Sequence, residues 1–204
     1  MPPKGHPTRP YRRHEKGLLR KDGKPGFDTR TGKVELWSKS YEEWGLDPLP
    51  YYAEPLESEI ATPELFEKYP IILGTGRRST GFFHSEHRQI PWLRELEPDP
   101  TFEIHPKLAK ELDIKDGEWA YIENDRGRIQ RKAVVTPIVH PKMIMVPHGW
   151  WLPEEEGAEP NLYGIWKYNC NQLIPINYHG KSGFGGGAYK YVLCKVTKMP
   201  KGGN

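Results

Sequence analysis

Residues 69–78 read YPIILGTGRR: an apolar run that stops at glycines and continues into two arginines. The run is long enough for one buried strand, and the glycines end it. Glycines let the backbone approach a ligand closely, free backbone N–H groups suit phosphate oxygens, and guanidinium groups bind phosphate or a planar heterocycle. The stretch FHSEHR, residues 83–88, follows closely. We interpret both as parts of a nucleotide-type cofactor site at the end of a strand, the alternative being a plain turn.

Composition favours a loop-rich, mostly β protein. The chain of 204 residues suits one domain of ordinary size plus an extended segment. Only 36% of its residues are hydrophobic, and the 21 prolines and 21 glycines disfavour long helices. No stretch approaches the roughly 18 apolar residues of a membrane helix, and the N-terminus has no apolar signal core. We therefore expect a soluble chain without an export signal, and its compartment stays open.

Charge is distributed unevenly along the chain. Residues 1–39 hold eleven Lys and Arg against four acidic residues, whereas no Lys or Arg lies between Ser40 and Glu67. We interpret residues 1–60 as an extended, partly disordered basic and acidic arm, and residues 61–204 as the folded domain. A basic arm is compatible with nucleic-acid binding. Its scattered Pro, Gly and acidic residues favour a solvated segment, or one that lies on a partner surface.

Alternating and apolar runs predict five or six strands and one short helix. The predicted strands of the domain are 69–73, 102–105, 119–124, 129–135, 143–147 and 189–196. Pro106 starts the predicted helix, which ends near Asp113, and Asp125–Arg128 forms a hairpin turn. In the arm only Lys33–Ser38 alternates like a strand, and we expect it to pack on a surface outside this chain. This pattern favours a small barrel over a sandwich.

The chain contains two cysteines, Cys170 and Cys194. Two thiols are too few for a four-cysteine iron–sulfur cluster or for a structural zinc site made of cysteine alone. Nothing in the sequence indicates an oxidising compartment, so we expect buried free thiols rather than a disulfide.

Six segments, in order, carry a resemblance to one protein family. They are YPIILGTGRR (69–78), HSEHR (84–88), EIHPKLAKELDIKDGEW (103–119), ENDRGRI (123–129), HGWW (148–151) and NCNQL (169–173). Together they resemble the C-terminal cofactor-binding domain of the molybdopterin oxidoreductases, the dimethyl sulfoxide reductase superfamily. Upstream, residues 26–36 (GFDTRTGKVEL) resemble the segment that enters this domain in large catalytic subunits.

The resemblance implies a mainly β fold with short helices, a six-stranded double-psi β-barrel. It also implies a bis(molybdopterin guanine dinucleotide) cofactor carrying molybdenum or tungsten. In the family, the iron–sulfur site, the protein ligand of the metal and most nucleotide contacts lie in preceding domains. The resemblance therefore implies that this chain is the C-terminal part of a larger oxidoreductase, or a separately encoded piece. We expect it to be inactive alone, without catalytic or metal-ligating residues of its own, and to need the remaining domains as partners.

The same resemblance, with the chemistry of the side chains, assigns the cofactor contacts. The candidate residues are Thr75, Gly76, Arg77, Arg78, His84, Ser85, Arg88, Asn169, Asn171 and Lys190. Backbone N–H and hydroxyl groups of the first three residues suit phosphate, and Arg78 or Arg88 supplies positive charge. His84 and Ser85 would meet pterin nitrogens or oxygens. The two asparagines, spaced i and i+2, would face one way from an extended strand and match the hydrogen-bonding edge of a pterin.

Several of these assignments have a structural alternative. The alternative for Arg77 or Arg88 is a surface charge, and the alternative for the two asparagines is a role in forming turns. The alternative for Lys190 is a solvated lysine in a strand. Trp150 and Trp151 are expected in the core or at a partner surface. Residues 183–187 (GFGGG) lack the lysine and helix of a phosphate loop, so a cofactor-covering loop or a linker is favoured.

Two functions from different classes are compatible with the sequence. The first is a cofactor-binding domain of a molybdenum or tungsten oxidoreductase, which requires arginines and asparagines at one end of the barrel. The second is a stand-alone barrel that binds nucleic acid or protein through the basic arm and exposed aromatic residues. An independent hydrolase is disfavoured because no Gly-x-Ser-x-Gly or His-Glu-x-x-His motif is present.

Overall fold

The structure is a computed structural model that describes residues 12–76, 79–176 and 190–200. It divides into two compact units, residues 1–52 and residues 53–204. The described part of the first unit consists of turns and one short helix, α1 (Lys39–Glu43), whose N-terminus is capped by the Ser38 side chain. The predicted division into an arm and a domain at residue 60 stays a prediction.

The strand predicted for Lys33–Ser38 is wrong. The Glu35 carboxylate accepts hydrogen bonds from the backbone N and the Oγ1 of Thr31, at 2.9 and 3.0 Å. These bonds close a turn, because local side-chain hydrogen bonds compete with a strand ladder. The two apolar residues of the run, Val34 and Leu36, are 64% and 80% exposed. Alternation without a neighbouring strand was therefore insufficient to form a strand here.

The second unit contains six strands and four short helices among its described residues. The strands are β1 (Ile71–Gly74), β2 (Thr101–Ile104), β3 (Trp119–Asn124), β4 (Gly127–Val135), β5 (Met143–Met145) and β6 (Val192–Lys198). The helices are α2 (Pro63–Lys68), α3 (Pro91–Arg94), α4 (Pro106–Glu111) and α5 (Ile165–Tyr168), and 3-10 turns span Leu162–Gly164 and Cys170–Leu173. No helix in the described part of the chain is both long and apolar enough to span a membrane.

The six strands close into a barrel in the order β1-β5-β2-β4-β3-β6. Two pairs, β1 with β5 and β2 with β4, are parallel, and the other pairs are antiparallel. This confirms the predicted fold class, a mainly β protein with a six-stranded barrel. The predicted strands agree with the observed ones within a few residues, and the beginning of the last predicted strand, Tyr189, lies outside the described residues.

The core of the barrel is built from the inward face of each strand. Strand β3 alternates half-buried and buried residues, with Ala120 and Ile122 inside. Helix α4 begins as predicted at Pro106, where the His105 side chain accepts a hydrogen bond from the backbone N of Lys107. Burial of apolar side chains from every strand provides the main stabilisation.

Parallel pairing of β1 and β5 decides which loops meet. Gly74 is opposite Met145, and the backbone N of Val146 donates to the Gly74 carbonyl at 2.8 Å. The segments that leave these two strands, beginning at Thr75 and Val146, therefore start side by side at one end of the barrel.

A buried polar network ties the residues before α2 to the barrel. The Glu57 carboxylate accepts two hydrogen bonds from the Arg126 guanidinium, at 2.7 and 3.1 Å, and one from the backbone N of Leu193. The Asn124 amide donates to the carbonyls of Leu173 and Leu193. The network fixes the β3–β4 turn against β6 and against the 3-10 turn that carries Asn171.

Candidate cofactor site

A polar cavity of about 240 Å³ lies where three parts of the chain meet. Its lining residues are His84, Ser85, His148, Gly149, Trp150, Trp151, Ile165, Asn169 and Asn171. One wall comes from the loop after β1, one from the segment after β5, and one from α5 with the following 3-10 turn. Four of the ten predicted cofactor residues therefore share one cavity.

Two hydrogen bonds join the first two walls. The Nδ1 of His84 lies 3.0 Å from the Nε2 of His148, so one imidazole donates and the other accepts. The Nε1 of Trp151 donates to the Ser85 carbonyl at 2.6 Å. His84 has a positive φ of 51°, a backbone conformation that a non-glycine residue adopts only when its surroundings hold it.

Gly149 allows the two walls to approach. Its φ is +62°, and a Cβ atom at this position would lie 3.1 Å from the Cβ of Ser85. A side chain here would meet both a strained backbone and a crowded neighbour. Glycine is therefore required for the close approach of the segment after β5 to the Ser85 loop.

The two asparagines reach the cavity by a different geometry from the one predicted. They do not lie in an extended strand, because Asn169 caps a 3-10 turn that contains Asn171. The Oδ1 of Asn169 accepts a hydrogen bond from the backbone N of Asn171 at 3.0 Å. Asn169 therefore forms a turn through its Oδ1, as the alternative interpretation expected. Both asparagines nevertheless line the cavity.

Thr75 and Gly76, which directly follow β1, lie at the same end of the barrel but do not line this cavity. Thr75 is 6% exposed, and Gly76 lines a second cavity of about 310 Å³. That cavity is also lined by the acidic residues Glu97, Asp99 and Glu103. Arg77 and Arg78 lie outside the described residues, as do residues 183–187.

Lys190 lies beside the end of β1, in the segment that leads into β6. Its carbonyl oxygen would be 3.4 Å from a Cβ atom built on Gly74. Lys190 is exposed and does not line the first cavity. Its contact with a cofactor stays a prediction.

Arg88 is buried rather than a surface charge, being 1% exposed. Its guanidinium carbon lies 3.7 Å from the ring centroid of Trp150 and 4.6 Å from that of Phe82. Its Nη2 donates to the His84 carbonyl at 3.2 Å. Desolvation by burial, with repulsion from Arg131, lowers the Arg88 pKa to about 10, so the group stays charged at neutral pH. Arg88 therefore supports the loop of His84 from behind.

Sequence reasoning did not select His148, Gly149 or Trp151 as site residues. The signal was present in the HGWW motif, which begins three residues after the end of β5, the parallel partner of β1. Trp150 is 1% exposed and packs with Phe82 in a second apolar cluster, as expected for a core residue. Trp151, in contrast, lines the cavity.

The thiols are not part of the site. Cys170 and Cys194 are buried and free, as expected. Burial raises the pKa of both thiols, which disfavours the thiolate that would bind a metal. Across residues 12–76, 79–176 and 190–200, no group of three or more His, Cys, Asp or Glu side chains is placed to hold a metal ion. The side chains that line the cavity offer imidazole, hydroxyl and amide groups, which can form hydrogen bonds with a polar ligand.

The second unit is thus a closed six-stranded barrel with a cavity at one end that is lined by hydrogen-bonding side chains. Residues 71–193 match the family described as "Molydopterin dinucleotide binding domain". The chain belongs to this family, the molybdopterin dinucleotide-binding domains of molybdenum and tungsten oxidoreductases.

The chain is also similar to individual proteins over most of its length. The chain is 45% identical over 150 residues to acetylene hydratase of Syntrophotalea acetylenica, a match that covers 73% of this chain and 20% of the relative. It is 37% identical over 189 residues to dopamine dehydroxylase of Eggerthella lenta, covering 80% of this chain and 18% of the relative. The solved structure of acetylene hydratase from Pelobacter acetylenicus matches with a TM-score of 0.76 and 35% identity, over 89% of this chain and 25% of that one. The chain thus spans about a fifth of the length of these curated relatives.

Proposed function

We propose that the cavity between His84, Ser85, Asn169 and Asn171 binds the pterin of a molybdopterin guanine dinucleotide. The observation that carries this proposal is the convergence of these four residues, from distant parts of the sequence, on one cavity. Imidazole nitrogens, a hydroxyl group and side-chain amides together offer both donors and acceptors, which a pterin edge requires. The family match supports this role over a stand-alone barrel that binds nucleic acid or protein.

The size of the cavity fits one part of the cofactor. Its volume of about 240 Å³ lies below the roughly 300–1,000 Å³ of sites that enclose a whole drug-sized ligand. The pterin would occupy it, and the dinucleotide would extend beyond it. We assign the phosphates to the loop of residues 75–78 and to Lys190, because this loop combines glycine, a hydroxyl group and two arginines. Arg88 would add positive charge from behind the cavity.

The bound cofactor would supply the dithiolene sulfurs that hold molybdenum or tungsten. The residues of this chain bind and orient the pterin, and they supply no metal ligand in the proposal. We infer that the chain acts with the remaining domains of a larger oxidoreductase, since the matches cover only 20% and 18% of these curated relatives. Alone, it is expected to catalyse no turnover and to purify without stoichiometric molybdenum, tungsten or iron, which elemental analysis would check.

The experiment measures cofactor content in the protein purified together with its remaining domains. Asn171→Ala and Ser85→Ala should lower both the metal content and the guanine nucleotide released by acid hydrolysis several-fold. Each substitution removes hydrogen bonds worth about 1–3 kcal/mol at a buried interface. Arg78→Ala is expected to act in the same direction through the phosphates.

Lys107→Ala is the matched control, because Lys107 is exposed on α4 and does not line the cavity. Its cofactor content should equal that of the unmodified protein. Full occupancy in both Asn171→Ala and Ser85→Ala would contradict the site assignment. In the chain without cofactor, Asn171→Ala should change the free energy of unfolding by less than about 1 kcal/mol.

A further inference from the structure

Two buried arginines approach the indole ring of Trp150. The guanidinium carbon of Arg88 lies 3.7 Å from the ring centroid, and that of Arg131, on β4, lies 5.8 Å from it. Both distances are within the range of cation–π attraction. Arg88 and Arg131 are 1% and 0% exposed. Among the described residues, neither forms an ion pair with a carboxylate, and Arg88 is attracted only at longer range, by Glu97.

Each arginine also holds the backbone of one wall of the cavity. The Nη2 of Arg131 donates to the carbonyls of Pro147 and Gly149, at 3.1 and 3.3 Å, on either side of His148. The Nη2 of Arg88 donates to the carbonyl of His84 at 3.2 Å. The two histidines that meet across the cavity are therefore each fixed by a buried guanidinium, and the ring of Trp150 lies near both guanidinium groups.

Burying two positive charges without a carboxylate in contact, as the described residues show here, is costly. In the described residues, the Nε and Nη1 of Arg88 and the Nε of Arg131 have no hydrogen-bond partner, so the carbonyl contacts compensate only part of this cost. An apolar residue of similar size on β4 would fill the same volume without that cost. The carbonyl contacts therefore indicate a requirement for the guanidinium group that core packing alone does not explain.

We propose that Arg131 and Arg88 are positioning residues that set the His84–His148 contact of the cofactor cavity. Arg131 acts through the carbonyls that flank His148, and Arg88 acts through the carbonyl of His84. A guanidinium is planar, so it can lie near the face of an indole while its N–H groups bridge two carbonyls, whereas a lysine ammonium is a point charge. The proposal rests on the proposed function only in taking the ligand of this cavity to be the pterin.

The test observes the histidines directly in the chain without cofactor. Long-range ¹H–¹⁵N spectra of the ¹⁵N-histidine-labelled chain report the protonation and hydrogen bonding of each imidazole. Arg131→Met and Arg131→Lys are both expected to move the ring-nitrogen shifts of His84 and His148. His105 and His140 serve as internal references, because their Nδ1 atoms accept hydrogen bonds from the backbone elsewhere in the fold.

Arg128→Met is the matched control on the same strand. Arg128 is exposed, pairs with Glu123 and does not line the cavity, so this variant should leave all four histidines unchanged. A selective change at His84 and His148 in Arg131→Lys supports the proposal. If Arg131→Met moves the ring-nitrogen signals of all four histidines together, that variant has lost its fold. The Arg131→Lys variant then tests the proposal. Unchanged signals of the pair in a folded Arg131→Lys protein would overturn the proposal.

A second measurement links the positioning to the ligand. In the protein with its remaining domains, Arg131→Lys should lower the content of guanine nucleotide and metal at least three-fold. If Arg131→Lys moves the signals of His84 and His148 but retains full cofactor content, the role of Arg131 in the cofactor site is overturned. A failure of the proposed function gives a different result. In that case Ser85→Ala and Asn171→Ala would both retain full cofactor content.

Discussion

The Nδ1 of His84 lies 3.0 Å from the Nε2 of His148, although 64 residues separate the two histidines in sequence. Parallel pairing of β1 with β5 makes this contact possible, because the segments that follow these strands leave the same end of the barrel. Residues 71–193 match the molybdopterin dinucleotide-binding family, and we propose that this contact belongs to its cofactor site.

Gly149→Ala is expected to lower the free energy of unfolding and to disturb the cavity. A left-handed backbone costs about 1–2 kcal/mol for a residue with a Cβ. Crowding against Ser85, at 3.1 Å, adds about 1 kcal/mol or more. Gly117→Ala is the control, since Gly117 has a φ of +76° but a Cβ there would lie 4.0 Å from its nearest neighbour, the Cε of Lys132. Denaturant unfolding of both variants measures the difference, and equal losses would contradict the crowding at Ser85.

Glu57→Gln should destabilise the barrel by about 3 kcal/mol, because it removes the buried carboxylate that pairs with Arg126 and leaves only the exposed Asp125 carboxylate, 3.4 Å away. Glu59→Gln, two residues away, should change stability by no more than about 0.5 kcal/mol, because its pair with Lys142 is exposed and 3.9 Å long. Thermal and urea unfolding of the two variants would test this contrast. Similar losses in both would show that the bidentate Glu57–Arg126 pair has no special role.

Both cysteine thiols should be unreactive in the folded protein. Burial raises the pKa of Cys170 and of Cys194, and the thiolate is the reactive form. Ellman's reagent at mildly alkaline pH should therefore label neither thiol in the native state over minutes, and should label both in denaturant. Rapid labelling of either thiol without denaturant would contradict the packing of β6 and of the Cys170–Leu173 turn.

Glu155 should contribute to stability at neutral pH but not in acid. A hydrogen bond from the Tyr168 hydroxyl, at 2.7 Å, and the nearby Lys167 ammonium hold the Glu155 pKa below its ordinary value of 4.5. A lowered folded-state pKa means that the contribution is complete above the unfolded-state value, about pH 4.5, and is lost as the pH falls through the folded-state pKa. The expected size is about 1 kcal/mol or less, since the carboxylate is partly exposed.

The measurement is the difference in unfolding free energy between the unmodified protein and Glu155→Gln, followed from neutral pH into acid. This difference should narrow as the pH falls below the ordinary glutamate pKa. Tyr168→Phe removes the principal donor and should weaken the same pH dependence. A difference that stays constant across this range would contradict the role of these contacts.

Much of the fold was predictable from local sequence. The run at 69–73, the alternation of Trp119–Asn124 and the hairpin turn at Asp125–Arg128 each correspond to observed elements, because burial of every second residue leaves a period of two in the sequence. The strand at Lys33–Ser38 was wrong because alternation reports a preference for burial and not the presence of a strand to pair with. Glu57 falls in the stretch predicted to be an acidic arm, and its buried role was not foreseen, because its partner Arg126 is 69 residues away.

By itself, the sequence determined the barrel class, the family resemblance and four residues of the cavity, since motif order and strand periodicity are local properties of the chain. Only the tertiary structure decided that Gly76 lines a separate cavity, that Arg88 is buried against Trp150, and that Arg131 lies near the same ring. These facts depend on strand register and on which loops leave the same end of the barrel. Such relationships arise from non-local pairing, which the one-dimensional pattern of hydrophobic and polar residues does not encode.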